Sequence, residues 1–308
     1  MNSREVKQKR WLYVVFILLL FAALYPTQIL SGVLAGRVQD SGHIILGAVA
    51  ALLFSGIGRI QKSKHDLLWA WVITVIFLLI IEIGQMQLNR DASWIDLLVG
   101  ASGAAAILII INSVKQSSSF WRWCYRLSGI MILLLALSPL LFTSTAYVIR
   151  NIKFPVLADF SSITDNEFLH TRSGELIQQQ GVVINDEKFL ARLCLNPGDW
   201  PGISIDEVVP DWSSYGKLSM VLFSDMAIPV DLVLRVHDRQ HNHQLDDRYN
   251  FKFSLLPGFK RIEIALDDIK YAPVGRDMDM HSIQGIVLFS ATLDESICVN
   301  LGSMQLLP

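Results

Sequence analysis

Five long apolar runs fill the first half of the chain, Trp11–Leu30, Ile44–Ile57, Leu67–Ile83, Ile95–Ile111 and Leu127–Ile149, and they constrain its fold more than any other feature. The hydrocarbon core of a bilayer takes about 17 to 25 helical residues, and helices satisfy their own backbone polar groups there. The second run reaches that length only by borrowing His43 and Gly58–Ile60. The expectation is an all-α five-helix transmembrane domain over residues 11–149, after a cytoplasmic N-terminus at 1–10.

Charge divides the chain near Pro155. Met1–Pro155 carries 14 basic and 6 acidic residues, whereas Val156–Pro308 carries 12 basic and 22 acidic. A linker over 150–158 and an exported domain over 159–308 follow from this shift. Orientation comes from the basic residues of the short loops. Arg4, Lys7, Lys9 and Arg10 precede the first run, Arg59, Lys62 and Lys64 separate the second from the third, and Lys115, Arg122 and Arg126 separate the fourth from the fifth. The alternate loops hold only Arg37 and Arg90. An odd number of spans with the N-terminus inside sends the acidic half across a bacterial cytoplasmic membrane. Trp11, Trp69, Trp71, Trp121 and Trp123 fit an aromatic belt at the inner interface, and Trp94 one at the outer. A cleavable signal peptide ending near Val33-Leu34-Ala35 is the competing reading of the first run.

Glu82 interrupts the third run, where an acidic side chain costs about 2.5 to 3.5 kcal/mol on insertion scales and usually faces a bundle interior or a cavity. The topology puts other polar residues on the same outer side: His43 at the start of the second helix, Gln85 one turn after Glu82, Arg90 in the next connection, and Asp96 at the start of the fourth helix. Three readings remain open: interfacial charges satisfying one another, a shallow head-group site with Arg90 as anion contact, and a proton relay through His43 and Glu82. Gly47, Ala51, Gly100 and Ala104 form small-xxx-small pairs that let helix backbones approach closely.

These residues resemble a VanZ-like domain. The likeness rests on Asp40-x-x-His43, Glu82-x-x-Gln85, Arg90, Ser93, Asp96 and Gly103 and covers about Trp11–Ile111. Gly100 stands where the family usually has Asn. The resemblance implies an integral membrane protein of the bacterial envelope, from a family associated with resistance to teicoplanin-type glycopeptides. It transfers no catalytic residue.

After Pro155 the apolar residues alternate with period two, as in Leu232, Leu234 and Val236, in Tyr249, Phe251, Phe253 and Leu255, and in Ile262, Ile264 and Leu266. Pro257-Gly258 and Asn196-Pro197-Gly198 read as turns. About eight such runs predict an all-β antiparallel sandwich or jelly roll. Their order is similar to galactose-binding-like sandwiches, the fold of many carbohydrate-binding modules. The residues carrying that likeness are Asp159-Phe160, Trp200-Pro201-Gly202-Ile203, Asp211-Trp212-Ser213-Ser214-Tyr215, Leu234-Arg235-Val236-His237-Asp238 and the closing run Val299–Leu306. Sugar binding would stack on Trp200, Trp212 or Tyr215 and use Arg239, Asp246 and Arg248 as hydrogen-bonding groups.

Cys194 and Cys298 share the outward parity of their runs and could pair if those strands are neighbours; two unpaired strand cysteines are the alternative. His237, His241 and His243 match no common metal-ligand spacing and read as a polar loop network, a sugar-contacting loop or, least well, a metal site. No nucleophile elbow, phosphate-binding glycine loop or CxxC occurs, and no cofactor or metal is expected. The acidic half argues against nucleic acid. The function expected is binding or organising a cell-envelope glycan or its lipid carrier at the outer face of the membrane, without catalysis. The alternatives are a membrane enzyme or carrier-lipid transporter working through Glu82, His43 and Asp96, and a scaffold for membrane protein partners.

Overall fold

The computed structural model describes residues 32–60, 65–86 and 93–308, together with 14, 17 and 18, and leaves out the side chains of 57–60, 180 and 190. Arg90 and all of the expected first span except residues 14, 17 and 18 therefore lie outside the described residues. The chain divides into two compact units, Met1–Ser144 and Thr145–Pro308.

Four described helices are long and apolar enough to cross a membrane: α1 (Val33–Ile60), α2 (Asp66–Met86), α3 (Trp94–Asn112) and α4 (Ser119–Lys153). They contain the second to fifth apolar runs. The second was expected to begin at His43, but α1 starts ten residues earlier. Hydropathy misses these turns because they hold Arg37, Asp40 and Ser41. Arg37 and Asp40 pair across one turn at 4.0 Å, and the Ser41 hydroxyl donates to the Arg37 carbonyl at 2.8 Å. The start of α3 is fixed locally: the Ser93 side chain caps it by accepting the Asp96 backbone N–H at 3.3 Å, and the acidic Asp96 suits the positive end of the helix dipole.

Glycines set how closely α1 and α3 approach. A Cβ on Gly47 would lie 2.0 Å from the Gly100 carbonyl oxygen, and one on Gly103 would lie 2.3 Å from that of Ile44. Ala51 and Ala104 are fully buried in one cluster with Ala70 and Leu108. Because backbone rather than a flexible side chain blocks the space, Gly47→Ala must push the helices apart. We expect it to destabilise the bundle by about 1 to 3 kcal/mol, visible as a lower midpoint of thermal aggregation in detergent, whereas Gly56→Ala, which meets no atom within 4 Å, leaves that midpoint in place.

The second unit is a two-sheet β-sandwich. Its strands are β1 (Val156–Ala158), β2 (Leu169–Arg172), β3 (Gly174–Ile184), β4 (Glu187–Leu195), β5 (Gly198–Asp199), β6 (Gly202–Asp206), β7 (Lys217–Ser224), β8 (Val230–Asp238), β9 (Tyr249–Leu255), β10 (Gly258–Ala265), β11 (Ile283–Phe289), β12 (Thr292–Leu293) and β13 (Ile297–Leu307). One sheet runs β10-β7-β13-β4-β3, with β1 also paired to β13, and the other runs β2-β6-β11-β8-β9; β5 and β12 form a separate pair. The alternation predicts which residues are buried. Leu232, Leu234 and Val236 of β8, Ile286 and Leu288 of β11, Leu193 and Leu195 of β4 and Val299 of β13 share one core. Both turn motifs carry a glycine at positive φ, Gly198 at 143° and Gly258 at 101°, as the loss of Cβ permits.

The segment 150–158, expected as a linker, is ordered secondary structure. α4 continues to Lys153, and β1 follows at once, pairing with the C-terminal half of β13. Polar residues at the end of an apolar run look like an exit from the bilayer. Here they make contacts within the second unit: Tyr147 donates to the Glu207 carboxylate, and Arg150 donates to the carbonyls of Glu207 and of Asp206 (3.0 Å) while lying over the Phe168 ring at 3.4 Å. Lys153 reaches Asp159 at 2.9 Å. A three-residue strand is also too short to show alternation.

Candidate functional sites

In the helical unit the glycine contact has a chemical consequence. His43 lies one turn before Gly47, and Asp96 one turn before Gly100, so the packing that joins the glycines carries both side chains to one level. From α2, Glu82 completes the group. His43 Nδ1 is 3.6 Å from Glu82 Oε1, and His43 Nε2 is 3.8 Å from Asp96 Oδ2. Exposure is 4% for His43 and Glu82 and 8% for Asp96. The other carboxylate oxygen of Glu82 accepts the Ser93 backbone N–H at 3.0 Å, which orients Oε1 toward the imidazole. Gln85, one turn after Glu82, is also buried. The structure thus brings together His43, Glu82 and Asp96 from three helices, with Gln85 on the same helix as Glu82. Gly100 is fitted to this packing: a Cβ there would lie 2.8 Å from Leu78 Cδ1 and 3.2 Å from the His43 carbonyl.

In the sandwich unit the sugar-binding candidates separate. Trp212 is 0% exposed, its ring in the core and its indole N–H donating to the Val209 carbonyl at 2.9 Å. It offers no face to a ligand, which corrects the expectation that it stacks on sugar: the polar stretch Asp211-Trp212-Ser213-Ser214 looks exposed in sequence, yet only its tryptophan turns inward. Tyr215 is half-buried, with its ring edge-on to Phe154 at 5.4 Å. Trp200 alone of the three keeps an open ring, 49% exposed. Its φ of 59° is unusual for a bulky residue, and its N–H is tied to the Ala291 carbonyl at 3.2 Å.

Trp200 packs at 5.6 Å on Phe289, the last residue of β11, and the Arg235 guanidinium lies 4.8 Å above the same ring. Register explains this. Val287 pairs with Arg235 and Gly285 with His237, so the outward residues of β11 and β8 share one face of the five-stranded sheet. Arg248, just before β9, joins them electrostatically. The Nε atoms of Arg235 and Arg248 and Nδ1 of His237 are buried and have no hydrogen-bond partner among the described residues. Burial, with repulsion from Arg248, brings the Arg235 guanidinium down to about 10, and burial also lowers Arg248. Sequence reasoning missed Arg235 and Phe289. Their one signal was the outward parity of an arginine between Leu234 and Val236, which reads equally well as a solvated strand face.

Beside this face the histidine-rich loop forms a closed network. Arg276 binds Asp238 through two nitrogens, at 2.6 and 2.9 Å, and also donates to Asp247. Asp238 further accepts the Asp279 N–H at 2.8 Å, and Asp247 accepts that of Asn242 at 2.8 Å. Burial alone would raise the Asp238 carboxyl, but the bonds from Arg276 and Asp279 outweigh it and hold it below the usual range. Arg276 does the same for Asp247. The His237, His241 and His243 rings follow one another at 5.3 and 5.2 Å. Arg239 and Asp246 are exposed here, held through their backbones by Ser282 and Val274.

Burial, followed by His241 and Arg235, pushes the His237 imidazole down to about 4 from an ordinary 6.5. The unfolded chain therefore binds this proton first, and stability falls as pH drops from about 6.5 to about 4, by up to about 3 kcal/mol. The Asp238 and Asp247 contributions persist over that window and disappear only at lower pH. Urea midpoints at pH 7 and 4.5 check this: His237→Gln is expected to remove most of the difference between them.

No family model matches the chain, and no curated protein does. Among solved structures the chain is similar to a family 11 carbohydrate-binding module from Clostridium thermocellum in complex with a β-1,3-1,4-mixed-linked tetrasaccharide. That likeness has 16% identity, covers 49% of this chain and 94% of the module, and has a TM-score of 0.38. It is also similar to an exo-β-agarase, with 16% identity over 50% of this chain and a TM-score of 0.40, spanning only 24% of that enzyme. A helical unit with apolar helices joined to a two-sheet antiparallel β-sandwich is the architecture of this chain.

Proposed function

We propose that the chain is a VanZ-like integral membrane protein whose sandwich, on the outer side of a bacterial cytoplasmic membrane, binds an envelope glycan bearing anionic groups. The observation that carries this reading is the sheet face on which the open Trp200 ring, backed by Phe289, stands in one group with Arg235 and Arg248. An aromatic face suits the apolar side of a sugar ring, and paired guanidinium groups suit carboxylate or phosphate. The helical unit would hold a polar head group of the lipid carrier through His43, Glu82, Gln85, Arg90 and Asp96. This reading gives the protein a binding role, with lipid and glycan as partners.

The test uses the full chain in lipid nanodiscs against uronate- or phosphate-bearing glycans and neutral ones. Acidic glycans are expected to bind more tightly. Trp200→Ala and the Arg235→Ala/Arg248→Ala pair should each weaken binding by about tenfold or more, the loss of at least one well-buried contact. Equal affinity for neutral glycans, or binding untouched by both variants, would remove the sandwich's proposed role. A membrane enzyme or carrier-lipid transporter working through Glu82, His43 and Asp96 is favoured by their convergence, and fails if Glu82→Gln and Asp96→Asn leave the cellular phenotype intact at normal protein level.

A further inference from the structure

We infer that His43, Glu82 and Asp96 form a binding site for one divalent transition-metal ion, with zinc the best fit to the donors. The geometry is the first argument. One ligand atom from each residue can be chosen so that all three lie within 4.8 Å of one another. The separations from the imidazole nitrogens to the carboxylate oxygens, 3.6 and 3.8 Å, are too long for direct hydrogen bonds. They start from different ring nitrogens, of which one ion takes only one, so a single imidazole–carboxylate separation matches the roughly 3 to 4 Å between ligands each about 2.0 to 2.2 Å from zinc, and the remaining carboxylate closes in from within 4.8 Å.

Charge is the second argument. The three residues are buried among apolar helices. Two carboxylates with a protonated imidazole would leave a net charge of about minus one there, at a desolvation cost of several kcal/mol per ion. A divalent cation with a neutral imidazole brings the trio to zero. Imidazole with carboxylates suits zinc, and also manganese or iron; magnesium and calcium are disfavoured because they take oxygen ligands almost alone.

The third argument is orientation. Ser93 holds Glu82 Oε2 with its backbone N–H, leaving Oε1 to face His43, and the Ser93 side chain fixes the turn that carries Asp96. Contacts of this kind aim the ligands at most protein metal centres. His43 and Asp96 come from α1 and α3, which the glycine packing locks together, and Glu82 comes from α2, so all three ligands stand on helices. Three protein ligands leave a coordination position open. That this position takes a phosphate oxygen of a lipid head group rests on the head-group reading above; the metal site itself does not.

The test uses the full chain in detergent, stripped with a chelator and dialysed against Zn²⁺ or Mn²⁺. One metal per chain is expected by mass spectrometry, with a higher unfolding temperature for the loaded protein. His43→Gln and Asp96→Asn should each weaken binding at least tenfold, and Asp66→Asn, at the far end of α2, should not. Helical circular dichroism and a monodisperse elution profile show that each variant is folded. If a variant does not fold, Co²⁺ bound to the unaltered chain is expected to give visible absorption bands of nitrogen and oxygen ligation. Folded protein that takes up neither zinc nor manganese, or folded His43→Gln that binds as tightly as the unaltered chain, would overturn the site. In a second arm, vesicles carrying a polyprenyl phosphate are expected to bind the loaded chain and not the stripped one. Zinc uptake without vesicle binding would reject the head-group reading and leave the metal site standing.

Discussion

Arg276→Met is expected to destabilise the sandwich by about 3 to 5 kcal/mol, the usual cost of removing one partner from a buried ion pair. Asp238 ends β8 with a fully buried side chain, and its two oxygens are both engaged by the Arg276 guanidinium. Methionine fills similar volume but brings no charge, so the carboxylate would stay in the protein interior with only the Asp279 N–H to balance it. Asp247 loses its strongest donor in the same step, and the loop from Asp238 to Asp247 loses the bridge between its ends. Hydrogen exchange of the β8 and β11 amides in the full chain measures the effect locally. Adding Asp238→Asn in the Arg276→Met background removes the stranded charge and should recover part of the loss, a coupling that a double-mutant cycle isolates. A loss below about 1 kcal/mol would mean that the network is solvated, as exposed pairs are.

Breaking the Cys194–Cys298 bond is expected to cost about 2 to 5 kcal/mol. The two cysteines are register partners on β4 and β13, and they form a disulfide across 104 residues of chain. Most of the sandwich lies within that loop, so closing it removes a large share of the freedom of the unfolded chain. β13 is also the hub of its sheet, since it pairs with β4, β7 and β1. Reduction of the unaltered protein and the Cys194→Ser/Cys298→Ser pair should shift the urea midpoint equally, and reduction should add nothing to the double variant. Such a bond persists in oxidising compartments, which accords with the proposed location outside the cytoplasm.

The parts of this fold that were legible in the sequence are those that repeat. Four apolar runs became helices, and the alternation of β8, β9 and β10 named their core residues, because burial on one face imposes period two or a continuous apolar surface. The convergence of His43, Glu82 and Asp96 could be suspected from topology, but their meeting depends on how closely Gly47 and Gly100 let two backbones approach, which no local pattern encodes. Trp212 shows the opposite limit. Its neighbours are polar and its own N–H finds a backbone carbonyl three residues away, so a buried residue sits in a segment that reads as surface. Arg235 and Phe289 meet only through the pairing of β8 with β11, a register that sequence parity leaves unspecified. Residues 150–158 looked like a linker because the contacts that order them, to Asp206, Glu207 and β13, lie far along the chain.

The proposed function stands on which side of the membrane the sandwich occupies, and labelling of intact cells tests that most directly. In a Cys124→Ser background, one cysteine is placed at Lys188 on the exposed start of β4, and in a second chain one is placed at Ser117 between α3 and α4. A membrane-impermeant maleimide is expected to label the position-188 cysteine in intact cells, and the position-117 cysteine only after permeabilisation. Labelling in the reverse pattern would put the sandwich in the cytoplasm, away from any envelope glycan, and would contradict the account.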